Sequence, residues 1–339
     1  MSPTLPTPSP SPPIPQPFPP LSRFPDAASL STRGSRRVTR LFLCRHGETE
    51  ANAARVLQGS GIDLPLNAKG MRQADALGVR MAGERIAAVW ASNLQRAIQT
   101  AKAVAMRHPS ASFHSDANLR EISWGGWEGQ ADPQGLFQMM ERWERDHDFD
   151  AKAPGSFAES PNMVRDRLDE VIGQIVESGG EDGAVLVVAH GRTLRVLLAH
   201  LIYRSLKHMP AFRHENCCIN VVDALVEVLP SPSVPTDATT AENSEEDQGN
   251  ESDSSSGSDP RGKVRLDGDA TLSHHHLAHP EDDGWVGPEF VFQWGGGPKN
   301  ALDGKEGRTV RVRFKPALLN YTGHLAAAER EHAHVPDTR

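Results

Sequence analysis

The chain has 339 residues and a formal net charge of −8, and it nowhere approaches the roughly 18 consecutive apolar residues of a membrane-spanning helix, so no such helix is expected. Much of the negative charge lies in one acidic segment, and Arg33, Arg36 and Arg37 are too few to argue a nucleic-acid interface, so charge selects neither partner class. Three cysteines, Cys44, Cys217 and Cys218, sit in or beside apolar runs, which fits reduced buried thiols better than a disulfide framework or zinc knuckle.

Residues 1–37 are rich in proline, then in serine and arginine, and cannot bury enough apolar surface to fold alone. Their basic bias, with Asp26 the one acid, is compatible with an organelle transit peptide and equally with a tail that is never processed. Location is therefore open between the cytoplasm and a plastid or mitochondrion.

The first apolar run, Val38 to Cys44, ends within one residue on Arg45-His46-Gly47. A short apolar run bounded by glycine reads as a buried strand, and its carboxyl end is where open α/β sheets hold ligands. Asn67 is positioned to cap a helix through Ala74, Leu77, Gly78 and Met81 that ends near Gly83. Ala87 to Ala91 predicts a second buried strand. The next helix, capped by Ser92 or Asn93, carries Arg96 in its first turns and is stopped by Pro109.

A third strand is expected at Ala111 to His114, then a glycine- and tryptophan-rich loop carrying Glu121. Leu136 to Trp143 and Pro161 to Val176 read as helices, and the stretch from about Gln130 to Pro161 as a cover over the site. Ala184 to Ala189 is apolar without alternation, as in a central parallel strand covered on both faces, and it delivers His190-Gly191. A helix from Arg192 to Tyr203 and a strand from Ile219 to Val228 follow.

Pro230 to Pro260 holds eight acids and no basic residue among many serines and reads as a disordered insertion. Closing a loop costs only logarithmically in its length, so a fold can carry it. Phe290 to Trp294 and Thr309 to Phe314 are expected as edge strands, the second alternating valines and Phe314 against Arg311 and Arg313. His274-His275-His276 with His279 reads as a solvated loop, not a metal site. The organisation expected is a tail over 1–37, one domain over 38–325 interrupted at about 230–285, and a C-terminal tail over 326–339.

The chemistry-bearing residues all fall where a strand hands over to a loop or helix: Arg45, His46, Asn52, Arg96, Glu121 and His190. Two arginines and two histidines make a site for a dianionic group, and guanidinium matches phosphoryl oxygens bidentately. His46 can attack phosphorus if a backbone carbonyl holds one ring nitrogen as donor and leaves the other its lone pair. Arg45, Arg96, Asn52 and a protonated or donating His190 would stabilise the transferring group. Glu121 is the general-acid candidate, with Glu128, Glu48 or Asp63 open on position alone. Thr49 is open between a local cap and a phosphate donor, Asn52 between a ligand contact and a loop brace, and Arg192 between surface and substrate. Arg120 is expected in a salt bridge.

Arg45-His46-Gly47 with Thr49 and Asn52 resembles the R-H-G-x-T-x-x-N signature of the histidine phosphatase superfamily, in its phosphoglycerate-mutase-like branch. The resemblance continues in order through Ser92-x-Leu94-x-Arg96-Ala97-x-x-Thr100, Leu119-Arg120-Glu121 with Gly125 and Trp127-Glu128-Gly129, Ala189-His190-Gly191, Asn216 and the Asn320 to Leu325 ending. It implies a three-layer α/β/α sandwich with a mostly parallel central sheet and an antiparallel edge. It also implies a metal-independent phosphomonoester hydrolase that needs no cofactor, acts on a small-molecule phosphate ester and forms a phosphohistidine. His46, Glu121, His190, Arg45 and Arg96 would carry catalysis. Arg45, Asn52, Gln58, Gly59, Arg96, Glu121, His190 and Gly191 would contact substrate. Neither nucleic acid nor membrane is expected as a partner, and oligomeric state is unspecified.

Two departures bear on the reaction. The mutases of this family carry a tyrosine-glycine element after the glutamate and a tryptophan-containing segment after the first motif, where this chain has Ile122-Ser123-Trp124 and Val56 to Ser60. They favour a phosphatase over a cofactor-dependent phosphoglycerate mutase, the alternative. A non-catalytic phosphate-binding module is the second alternative, and it would not need nucleophile and acid together.

Overall fold

The computed structural model describes residues 17–21, 36–181, 183–229, 287–294 and 308–326. The transit-peptide reading of the extreme N-terminus, the acidic insertion, the His274 to His276 run and the C-terminal tail lie outside the described residues. Seven strands form one sheet: β1 (Arg36–Arg45), β2 (Ile86–Ser92), β3 (Ser112–Asp116), β4 (Ala184–Ala189), β5 (Ile219–Val228), β6 (Glu289–Trp294) and β7 (Arg308–Tyr321), in the order β3-β2-β4-β1-β5-β7-β6. β3, β2, β4 and β1 pair in parallel, whereas β5, β7 and β6 add antiparallel neighbours. Five strands thus run one way, because β7 reverses twice relative to β1.

The helices are α1 (Glu50–Ala53), α2 (Ala68–Met81), α3 (Gln95–Ala105), α4 (Leu136–Glu144), α5 (Pro161–Ser178) and α6 (Gly191–Tyr203). The continuous apolar run of β4 follows from coverage on two sides. Val185, Val187 and Ala189 join Leu41 and Leu43 of β1 in a core with α5 and α6, while Leu186 and Val188 join Phe42 and Cys44 in a core with α2 and α3. Each face takes every second residue, so neither can be polar. At about 1.5–3 kcal/mol per large side chain, this burial holds the ends of β1 and β4 in register. Leu43 pairs with Val187 and Arg45 with Ala189, which sets His46 and His190 side by side.

Most predicted elements appear within two residues of their expected ends. β7 is longer than expected because residues 315–321 keep pairing with β5 through bulges at Val222↔Pro316 and Val221↔Leu318. A proline is tolerated at such an irregularity, where no ladder donor is needed. The α3 cap also differs from expectation: Leu94 occupies it with no side-chain bond. Asp63 from the preceding loop instead accepts from Gln95 N at 2.7 Å, and Asn93 accepts from Arg120. All three cysteines are free and buried. No helix among the described residues is long and apolar enough to cross a membrane.

Candidate active site

β1 ends on Arg45, and the chain then turns sharply through His46-Gly47. Gly47 is forced by a close approach: a Cβ there would lie 2.6 Å from the Gly70 carbonyl oxygen. Its N–H donates to Thr100 Oγ1 at 3.0 Å, and His46 N donates to the Ala189 carbonyl at 3.0 Å, tying β1, α3 and β4 at one point. The His46 ring is buried, with Nδ1 2.6 Å from the Gly47 carbonyl oxygen. That oxygen can only accept, so Nδ1 carries the proton and Nε2 keeps its lone pair.

His190 is fully buried at the N-cap of α6, its ring centroid 5.0 Å from that of His46. Neither of its ring nitrogens has a protein partner. Burial first, then the charges of neighbouring arginines, holds both histidines well below the usual imidazole range. Of the two states expected for His190, protonated or donating, this favours the second, a neutral ring donating through one N–H. Two buried ring nitrogens without a protein partner are what a hydrogen-bonding ligand would complete.

Arg96 enters from the first turn of α3 and is almost fully buried. Its Nη1 and Nη2 donate to Ile62 O at 2.9 Å and Gly59 O at 2.7 Å, leaving Nε without a partner. Gly59 holds φ +58°, and a Cβ on it would meet Glu128 Oε1 at 2.1 Å. Arg45 Nη1 donates to His214 O at 2.7 Å, its Nε is likewise buried and unpartnered, and that Nε lies 3.5 Å from where a Gly191 Cβ would sit. His46 thus stands beside His190, Gly191 beside Arg45, and the charges of Arg45 and Arg96 act on both histidines, with Arg45 Nε, Arg96 Nε and the His190 ring carrying no protein partner.

The other expected contacts are more committed. Asn52 Oδ1 accepts from Thr49 N at 3.2 Å and Asn216 Nδ2 at 3.3 Å, so only the Asn52 amide nitrogen remains for a ligand. Thr49 resolves as a local cap: its hydroxyl accepts from Asn52 N in a capping box on α1. Gln58 Nε2 donates to that same hydroxyl at 2.8 Å, and its buried Oε1 has no partner. An amide oxygen repels phosphoryl oxygens, so in this orientation Gln58 suits a hydroxyl on the ligand instead. Arg120 makes no ion pair among the described residues, since its Nε donates to Asn93 Oδ1 at 2.6 Å.

Glu121 sits against the first turn of α6. One carboxylate oxygen accepts from Thr193 N at 3.0 Å and Thr193 Oγ1 at 3.1 Å, the other from Arg192 N at 3.2 Å. Its loop is pinned from α5, where Arg167 donates to Arg120 O at 2.9 Å and pairs with Glu159 at 2.9 Å. Glu128 lies on the other side, accepting from Trp124 N at 3.1 Å, with its carboxylate against the backbone of Gly59 and Gly61. A cavity of about 630 Å³ opens beside Glu128, lined among others by Ser60, Arg120, Phe157, Glu159 and Arg167. Neither histidine lines it. The expected cover contributes Gly155 to Phe157 to its wall.

Sequence reasoning left several contributors unassigned. Arg192 stacks over Trp124 and Trp143, 5.9 and 6.0 Å from their ring centroids, with its pKa lowered to about 10 by burial and by Arg195. Asn216 Nδ2 donates to the His46 carbonyl at 3.0 Å, and Cys217 N to the Arg45 carbonyl at 3.1 Å. The partners of Asn216 and His214 lie some 170 positions away in sequence, beyond the reach of any local pattern. Among the described residues no group of three or more His, Cys, Asp or Glu is arranged to hold a metal ion.

The family model described as histidine phosphatase superfamily (branch 1) matches residues 41–225. A probable phosphoglycerate mutase, GpmB, of Proteus mirabilis is 31% identical over 185 residues, covering 54% of this chain and 84% of that protein. Fructose-2,6-bisphosphatase TIGAR B of Danio rerio is 32% identical over 194 residues, covering 48% of this chain and 74% of that protein. Among solved structures, a mycobacterial glucosyl-3-phosphoglycerate phosphatase superposes with a TM-score of 0.48 at 27% identity, covering 56% of this chain and 91% of that one.

Proposed function

Because the chain belongs to the histidine phosphatase superfamily (branch 1), we propose that it is a phosphomonoester hydrolase acting on small phosphorylated metabolites through a phosphohistidine on His46. The observation that carries this reading is the His46 ring, whose Nδ1 is held by the Gly47 carbonyl at 2.6 Å and whose neighbour at 5.0 Å is a second buried, unpartnered histidine. A histidine serving only the core would spend both nitrogens on protein partners.

In the first step the Nε2 lone pair of His46 forms a bond to phosphorus while the phosphorus–oxygen ester bond breaks, and Glu121 in its acid form gives the leaving alkoxide a proton. In the second, water attacks the phosphohistidine, the phosphorus–nitrogen bond breaks, and the Glu121 carboxylate takes the water proton. Arg45 Nε, Arg96 Nε and His190 are the donors without protein partners, and they stabilise the equatorial oxygens of the transferring group. The donors now gathered on Glu121 are Ile122 N from its own loop and Arg192 N, Thr193 N and Thr193 Oγ1 from the first turn of α6, so its acid form requires an oxygen to turn from these toward the ester. The cavity lined by Arg120 and Glu128 takes the alcohol portion, with Glu128 as an acceptor for its hydroxyls.

Mutase chemistry would need the same nucleophile and an acceptor alcohol instead of water, and the likeness to the probable phosphoglycerate mutase GpmB favours that reading. Turnover of the full chain against phosphoglycerates, sugar bisphosphates and a chromogenic ester, in EDTA and with or without 2,3-bisphosphoglycerate, separates the two. Phosphate release on a subset of esters supports the hydrolase. Interconversion of phosphoglycerates that depends on the bisphosphate would replace it with the mutase.

A further inference from the structure

Outside the site, a short segment that precedes the family match over residues 41–225 packs on the core. Pro17-Phe18-Pro19-Pro20-Leu21 lies against the end of the molecule where β1, α2 and β7 meet. The Phe18 ring packs 4.9 Å from Phe42 and 6.2 Å from Tyr321, centroid to centroid. The Arg80 guanidinium lies over its opposite side at 3.5 Å, a cation–π contact. Phe18 thereby joins the core formed by α2, α3 and one face of the sheet.

The backbone of the segment is received as specifically as its side chain. Arg40 is buried and pairs bidentately with the fully buried Asp223, at 2.7 and 2.9 Å. Its remaining donors reach the carbonyl oxygens of Pro19 at 2.5 Å and Pro20 at 2.9 Å. Prolines suit this arrangement, because they bring carbonyl acceptors with no N–H to satisfy, and their fixed φ lowers the entropy lost on docking. That the tail cannot fold alone does not prevent five of its residues from packing on an existing core.

We infer that this face, built by Arg40, Phe42, Arg80 and Tyr321, is a recognition site for a Phe-Pro-Pro segment, that its occupant is the chain's own residues 17–21, and that occupancy stiffens the loop beneath His46. The connection to the loop is continuous. Tyr321, which touches Phe18, pairs with Ile219 of β5, and its neighbour Asn320 accepts from Glu215 N at 3.3 Å and donates from its own N to Asn220 Oδ1 at 2.9 Å. Residues 215–218 in turn carry the Asn216 and Cys217 bonds to the carbonyls of His46 and Arg45. Neither the docking nor the stiffening rests on the proposed hydrolase.

The test is amide hydrogen exchange on the full chain carrying Phe18→Ala, compared with wild type. Exchange at Cys217, Cys218 and Leu325 is expected to speed up by about tenfold or more, with amides of β2 and α5 unchanged, as for a local opening. Phe18→Leu keeps apolar bulk and should restore most of the protection; if the alanine variant fails to fold, Phe18→Val, which is expected to speed the same amides by a smaller factor, is compared with wild type instead. Unchanged exchange at residues 215–218 would overturn the inference. So would a uniform rise across all strands, which would make the segment a source of general stability only. These readouts involve no substrate, so their failure is distinguishable from absence of phosphatase activity.

Discussion

The two halves of the sheet meet at the same site and contribute to it differently. The parallel half, β3-β2-β4-β1, supplies the side chains of His46, Arg96 and His190 from the ends of three strands or the helices that follow them. The antiparallel half, β5-β7-β6, supplies bracing: the His214 carbonyl under Arg45, and Asn216 and Cys217 donating to the backbone of the nucleophile turn. Chemistry and support are thus carried by different halves, and removing a group from each should fail in a different way.

The largest effect belongs to the parallel half. His46→Ala is expected to remove turnover, a loss on the order of 10⁴–10⁶-fold, with the circular dichroism spectrum unchanged. Glu121→Gln should lower kcat by roughly 10²–10⁴-fold, the range of a general acid, while leaving phosphate-ester affinity in place. Equilibrium binding of a slow substrate would check the latter, and a lost affinity would assign Glu121 to positioning.

Acid stability draws on both halves. His46 and His190 are held well below the usual imidazole range, chiefly by burial, and burial likewise lowers His214 to about 3 and His324 to about 4. The unfolded chain binds these protons first, so stability is complete above about pH 6.5 and falls as pH drops below it, by up to about 2 kcal/mol per histidine between pH 7 and pH 5. Urea denaturation at the two pH values should show this, and His324→Gln should flatten the dependence. A stability that rose on acidification would reverse the sign.

The smallest effect tests the bracing. Asn216→Ala removes two hydrogen bonds, one to a carbonyl that Cys217 N also serves, and should cost about 1 kcal/mol with a reduction in kcat on the order of tenfold or less. Denaturation midpoints and initial rates measure both. A loss as severe as that of His46→Ala would abolish the division between the halves.

The same division explains what was legible in the sequence. The parallel half announces itself because an apolar strand running straight into Arg45-His46-Gly47 or His190-Gly191 is visible in a few consecutive residues. β4 was placed to the residue for the same reason. The supports are non-local and left no such trace. Asp63 caps α3 from a loop, Asn93 is drawn away from capping by Arg120, and Asn216 reaches His46 across most of the domain. Phe18 was hidden by its surroundings, since a proline-rich tail gives no periodicity from which docking could be read. The His190 protonation state also required three dimensions, because burial among arginines, not residue type, sets it.

The central claim is the covalent intermediate, and the most direct measurement is a rapid alkaline quench of the wild-type chain turning over a phosphate ester in EDTA, followed by peptide mass spectrometry. An acid-labile, alkali-stable phosphate on the peptide containing His46, absent from His46→Ala and accumulating in Glu121→Gln, is the result predicted. Steady turnover with no phosphate on that peptide, or with the label on His190 instead, would contradict the account.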